Sequence, residues 1–151
     1  MGSAPPLSSV RCAAVDTSPF IYPFEASGPR RERARSLFGA SASAPLLTSV
    51  ITVTEILTFC HRRDDIQLIQ RYLEFFQNHP AISVVPVGWQ VGLRAAELRA
   101  RYDLRTHDAI QVASAMENGA EVLITNDRRL LRLADIPVVL FDTWRENDTG
   151  P

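Results

Sequence analysis

Four carboxylates in this chain stand where a fold could gather them into one site: Asp16, Glu55, Asp108 and Asp127. Asp16 closes one short apolar run and Asp127 follows another, so each is expected at the exit of a strand. Glu55 and Asp108 fall on segments with helical spacing. Were these acids to share a cavity, mutual repulsion would stop all of them from ionising unless a positive charge sat among them. Oxygen-only donors suit a hard cation, which points to Mg²⁺ or Mn²⁺. A cation so held orients water, lowers its pKa and neutralises charge developing on a phosphate, the chemistry of phosphodiester hydrolysis.

Each acid also has an ordinary structural use. An acid after a strand hydrogen-bonds turn amides, and acids in a helix's first turn are favoured by capping and by the macrodipole, so Asp16, Asp108 and Asp127 stay open to that reading. Glu55 is more telling. Val53, Ile56, Leu57 and Cys60 make one apolar stripe, and Glu55 lies nearly opposite it, between Ile51 and Phe59. A carboxylate enclosed on a helix with two apolar faces needs a hydrogen bond, a cation or a proton. Asp108 aligns with Val112 and Ala115, on the inward side of an Ala-rich helix. No cluster has zinc spacing: His61, His79 and His107 are scattered, and Cys12 and Cys60 sit in separate apolar runs, as free thiols do. The histidines read as structural or solvated, with His107 alone standing beside one of the acids.

The elements that must position these residues alternate in type. Arg11 to Val15 is expected as a buried strand, followed by a Pro-punctuated stretch through Phe20, Ile21 and Tyr22. A surface helix is expected from Pro29 to Gly39, with the PRRERAR run as a solvated face. Leu46 and Leu47 lead through Thr48 and Ser49 into VITVTEILTFCHRR, expected as a short strand turning into the helix of Glu55. Asp64 and Asp65 start an amphipathic helix carrying Ile66, Ile69, Tyr72, Leu73 and Phe76, and ISVVPV is the next strand. Trp89, Leu93, Ala96 and Ala100 mark a helix to about Tyr102, and Phe75, Phe76 and Trp89 read as core aromatics. Thr106 is expected to cap the helix of Asp108, and Gly119 to end it. Glu121 to Thr125 is a strand, Asn126 and Asp127 open a short helix through Leu133, and Val138 to Phe141 is the last strand. This alternation predicts a three-layer α/β/α sandwich around a mainly parallel sheet. Ligands bind such sheets beyond the carboxyl ends of the strands, where Asp16 and Asp127 are expected.

At 151 residues the chain has room for one ordinary domain, expected over residues 11–143, with a loose tail over 1–10 and a polar tail over 144–151. No apolar run reaches the roughly 20 residues of a membrane-spanning helix. The opening lacks the regions of a secretory signal, and with two lone cysteines a reducing cytoplasm is the expected setting. A net charge of −1 argues at first sight against a nucleic-acid partner, but setting the four acids aside moves the balance to +3. All 16 basic residues are arginine, which excludes mechanisms that need a lysine, such as a P-loop or a Schiff base. The same absence, with Ser18 where a second acid would follow Asp16, argues against a phosphoryl-accepting receiver or an aspartate-nucleophile phosphatase.

Taken in order, AVDTSPFIY, TSVITVTEIL, RTHDAIQVASA and VLITNDRRLL resemble the motifs of the PIN-domain nucleases, and the short chain is similar to the VapC toxins of type II toxin–antitoxin systems among them. The likeness spans about residues 11–141. It implies a metal-dependent endoribonuclease whose catalytic, metal-binding acids are Asp16, Glu55, Asp108 and Asp127, with Asp16 and Asp108 most directly on the metal. Thr17 and Asn126 would lie close behind them. Because the fourth acid varies within the family, Asp142 is the substitute for Asp127. The resemblance further implies Mg²⁺ or Mn²⁺ as cofactor, an RNA substrate, a cognate VapB-like antitoxin and a homodimer. The alternative is a PIN-like scaffold that binds RNA or protein without cutting it. Its sequence sign, the loss of one or more acids, is not seen here.

Overall fold

The computed structural model describes residue 5 and residues 7–39 and 44–144. Residues 1–4 and 6 of the expected amino-terminal tail, and 145–151 of the carboxy-terminal one, lie outside the described residues. Five strands, β1 (Ala13–Val15), β2 (Leu46–Ser49), β3 (Ile82–Val85), β4 (Val122–Thr125) and β5 (Val138–Leu140), form one sheet in the order β3-β2-β1-β4-β5. All four neighbouring pairs are parallel. Among the described residues six α-helices connect them: α1 (Thr17–Glu25), α2 (Pro29–Phe38), α3 (Val50–Arg62), α4 (Ile66–Asn78), α5 (Trp89–Tyr102) and α6 (Thr106–Glu117). None is long and apolar enough to cross a membrane.

The two-residue period of the strands divides the core. Ala13, Val15, Leu46, Val122 and Ile124 pack with Phe20, Leu37, Phe38, Ile56, Cys60, Tyr72 and Phe76 from α1 to α4. Ala14, Leu47 and Leu123 face the other way, onto Val91, Ala95 and Leu98 of α5 and Ala109, Val112 and Ala113 of α6. Strands covered on both faces are why these runs read as continuously apolar. The three-layer parallel sandwich is therefore formed as the alternation predicts.

Several boundaries differ from the expectation. The Pro-punctuated stretch is not a loop but α1, capped by Asp16. Pro19 falls in the first turn, where its missing N–H has no helical partner to lose, so only Pro23 costs a bond. Burial of Phe20, fully enclosed against Phe38 at a 4.8 Å ring separation, offsets that cost. The ordered core also exceeds residues 11–143: Leu7 and Val10 are buried next to a 3-10 turn at Leu7–Ser9, and Trp144 is buried against the first cluster. These side chains are apolar, and burying them removes surface from water.

On α5 the buried stripe is Val91, Ala95 and Leu98, whereas Trp89 is 78% exposed and Leu93, Ala96 and Ala100 face solvent. Both stripes are apolar at helical spacing, and the one without the bulky indole meets the Ala-rich surface of α6. Trp89 is thus a surface residue rather than a core aromatic, while Phe76 is core as expected. Thr106 begins α6 instead of capping it; Arg105 takes the cap position, without a side-chain hydrogen bond. Gly119, at φ +78°, does end that helix, in a conformation that side-chain-bearing residues rarely adopt.

Candidate active site

Parallel strands all end on one side, and the helix starts and turns that follow them collect there. At Asp16 the backbone N–H still donates to Ile124 at 2.9 Å, extending the β1–β4 ladder by one residue. Its side chain then turns into the first turn of α1: Oδ1 accepts from the Thr17 N–H at 2.8 Å, and Oδ2 accepts from the Thr125 hydroxyl at 2.7 Å. That hydroxyl also accepts from the Asp127 N–H at 3.0 Å, so a short hydrogen-bonded chain ties the ends of β1 and β4.

Glu55 comes in from α3. The Thr17 hydroxyl donates to it, and the Gln111 amide of α6 donates to Thr17 at 3.1 Å and to Thr52 at 2.6 Å. Gln111 and Thr52 are buried, so this network fixes α1, α3 and α6 against one another beneath the acids. Glu55 keeps about a third of its side chain exposed, at 34%, and Phe59 one turn on is 45% exposed. The second apolar face expected to enclose Glu55 is therefore open on one side.

Asp108 projects from the first turn of α6 and is 13% exposed. Arg105 Nε donates to it at 2.8 Å, His107 Nε2 lies 3.3 Å away, and Arg129 approaches to 3.6 Å. The same His107 nitrogen is 3.9 Å from Glu55, so this ring bridges two of the acids. Asp127 is set slightly apart. It caps the 3-10 turn Arg128–Arg132 and binds Arg129 through both carboxylate oxygens. That guanidinium holds the Asp127 carboxyl below its ordinary range.

Burial raises the Asp16 carboxyl above its ordinary value; the Thr125 and Thr17 hydrogen bonds pull it back, and the charges of Glu55 and Asp108 push it further up. Three carboxylates thus converge from β1, α3 and α6, and Asp127 joins them through Arg129. Among the described residues, however, no three His, Cys, Asp or Glu side chains are gathered to hold an ion as they stand. Asp108 is engaged instead by Arg105, Arg129 and His107. The donor set nevertheless fits a hard cation: it is all oxygen, and its most buried member carries repulsion that a cation would relieve.

Asn126 does not touch the acids. Its amide donates to the Tyr22 hydroxyl at 2.8 Å and its carbonyl accepts from the Asp142 N–H at 3.0 Å, bracing the turn after β4 against α1 and the end of β5. Asp142 is paired with Arg30 of α2, at 2.8 Å. Exposed pairs of this kind add little to stability. Asp142→Asn is therefore expected to leave both the urea midpoint and any nuclease activity unchanged; an activity loss matching that of an Asp108 variant would return Asp142 to the cluster.

Gln111, Thr125 and Arg105 are not singled out as site residues by the sequence, and Arg129 reads there as a solvated residue or an RNA or partner contact. Gln111 did leave a signal, because it lies three residues after Asp108 on the same inward face of an Ala-rich helix. The others act only through neighbours that the fold supplies.

A model of the PIN domain matches residues 13–136 of the chain. No curated protein matches it in sequence. Among solved structures, the fold is similar to VapBC2 from Rickettsia felis bound to a DNA fragment from its promoter, with a TM-score of 0.68 at 14% identity over 85% of this chain and 98% of that one. It is similar to FitAcB from Neisseria gonorrhoeae, at 0.67 and 17% identity over 87% and 99% of the two chains. It also resembles Mycobacterium tuberculosis VapC20, described as a toxin cleaving the sarcin–ricin loop, at 0.64 and 21% identity over 83% and 98%.

Proposed function

The chain belongs to the PIN domain family, a family of nucleases, and from that premise we propose that it is a metal-dependent endoribonuclease acting as the toxin of a VapBC-type pair in the cytoplasm. The observation that supports this reading is that Asp16, at the carboxyl edge of the sheet, is buried and feels the charges of Glu55 and Asp108. Its proposed metal ligands are Asp16 and Asp108, with Glu55 and Asp127 completing the cluster directly or through water. Mg²⁺ or Mn²⁺ bound there would supply a water of lowered pKa and neutralise charge on the phosphate.

The chain's own residues do the rest. Thr125 and the Thr17 N–H orient Asp16, while the Thr17 hydroxyl, backed by Gln111, orients Glu55. Arg105 and Arg129 stand at the rim with more than half of each side chain exposed. Guanidinium groups suit phosphate oxygens, so both are assigned to hold the RNA backbone. Asp127, by gripping Arg129, sets the direction of one of them. The VapBC and toxin–antitoxin complexes among the similar structures support a VapB-like partner, and a homodimer is a further part of the proposal.

The test is cleavage of total cellular RNA with Mg²⁺ or Mn²⁺, against an EDTA control. Discrete fragments that appear only with metal are expected. A second reading, a scaffold that binds without cutting, draws on the engagement of Asp108 by Arg105 and Arg129. Calorimetric titration separates the two: no heat with either cation, and no cleavage, would favour the scaffold.

A further inference from the structure

Beside the acids, α1 and α3 leave a hollow of about 210 Å³, lined by Thr17, Ile21, Glu25, Glu55, Ile56 and Phe59. We infer that it is a nucleobase subsite, in which a base flanking the cut stacks on Phe59; the inference rests on the nuclease reading above.

Position comes first. Thr17 and Glu55 belong both to this hollow and to the proposed metal cluster, and Phe59 follows Glu55 by one helical turn on the same face of α3. A phosphodiester held at the acids would put a neighbouring base on the side of α3 that carries that ring.

Chemistry comes second. Ile21, Ile56 and the half-open Phe59 ring make the wall apolar, and the hollow is smaller than the roughly 300 Å³ at which sites for whole cofactors or drug-sized ligands begin. One flat ring system matches it better than a larger ligand.

Charge comes third. The Arg63 guanidinium lies over the Phe59 ring, 5.0 Å from its centroid, and is 57% exposed. It brings positive charge to the mouth of an otherwise acidic hollow, where the sugar–phosphate strand must run. Single-stranded RNA is recognised by such combinations, unstacked bases on aromatic or guanidinium planes beside basic groups. Arg63 also lies 3.9 Å from Glu25 of the same hollow, so an ion pair as well as the ring holds it at that lip.

The test uses a randomised RNA oligonucleotide library, digested in Mn²⁺ and sequenced at the cut ends, for wild type, Phe59→Ala and Phe59→Tyr. Wild type is expected to show a skewed base composition at one position next to the cut. Phe59→Ala should lose the skew and raise KM roughly 5- to 100-fold, the range of a lost base–aromatic stack, with kcat little changed. Phe59→Tyr should keep both. The ring is outside the core clusters, so Phe59→Ala should retain the wild-type urea midpoint. Equal KM and equal base composition in wild type and Phe59→Ala would overturn the subsite alone. A wild type that neither cuts nor binds the library would overturn the nuclease reading and the subsite with it. A Phe59→Ala protein that cuts normally but no longer holds a protein partner would give the hollow to that partner's side chain instead.

Discussion

Asp16→Asn is expected to abolish cleavage and metal binding while making the metal-free protein more resistant to urea at neutral pH. The activity loss follows from removing a ligand whose cation contributes several kcal/mol of charge stabilisation, about 10³-fold or more in rate. The stability gain follows from the environment of the acid. Burial, Glu55 and Asp108 together lift the folded-state pKa of Asp16 despite two hydrogen bonds. A carboxyl that holds its proton more tightly when folded makes the native state the more protonated one, so stability falls as pH rises from the ordinary Asp value of about 4 through the folded value. Above that window the cost is fully present, and an amide does not carry it. Urea denaturation from about pH 4 to 8 should show a decline in wild type that is reduced in the variant. Mn²⁺ should restore stability to wild type only. Retained metal-dependent cleavage by Asp16→Asn would remove Asp16 from the mechanism.

Phe20→Ala is the substitution with the largest expected effect on the fold. Phe20 is fully enclosed, stacked on Phe38 and within 5.3 Å of the Phe76 ring and 6.2 Å of the Phe75 ring. Truncating a buried phenylalanine costs about 3–5 kcal/mol, a large part of the 5–15 kcal/mol that holds a typical domain together. Phe20 also fastens to the sheet the helix that Asp16 caps and Thr17 begins, so activity should fall with stability as temperature rises. Equilibrium urea unfolding reads the first effect. A loss below about 1 kcal/mol would mean that α1 is not anchored by this aromatic cluster.

Local pattern made much of this arrangement readable. The exits of β1 and β4, where Asp16 and Asp127 stand, were marked by apolar runs ending on acids, and the strand–helix alternation specified a parallel sheet. Reading failed where two patterns competed. Prolines in α1 resembled loop punctuation because their cost is visible locally, whereas the Phe20 packing that offsets it is not. On α5 two apolar stripes were available, and only packing against α6 selects the one formed by Val91, Ala95 and Leu98. The acids themselves could be nominated from their positions, but the bonds made by Gln111 and Thr125 could not. Their roles depend on partners that are distant in sequence and near only after folding.

The central place of β1 in the sheet sets a schedule for synthesis. Its neighbour on one side, β2, leaves the ribosome soon after it, but its other neighbour, β4, emerges more than a hundred residues later, and the hydrogen bond from Thr125 to Asp16 spans 109 positions. Sheets closed by such distant pairings assemble late and slowly. A nascent chain lacking β4 has Asp16 without its Thr125 partner and no Asp127 or Arg129. The proposed cutting centre thus comes into being only after β4 and the turn that follows it have been made.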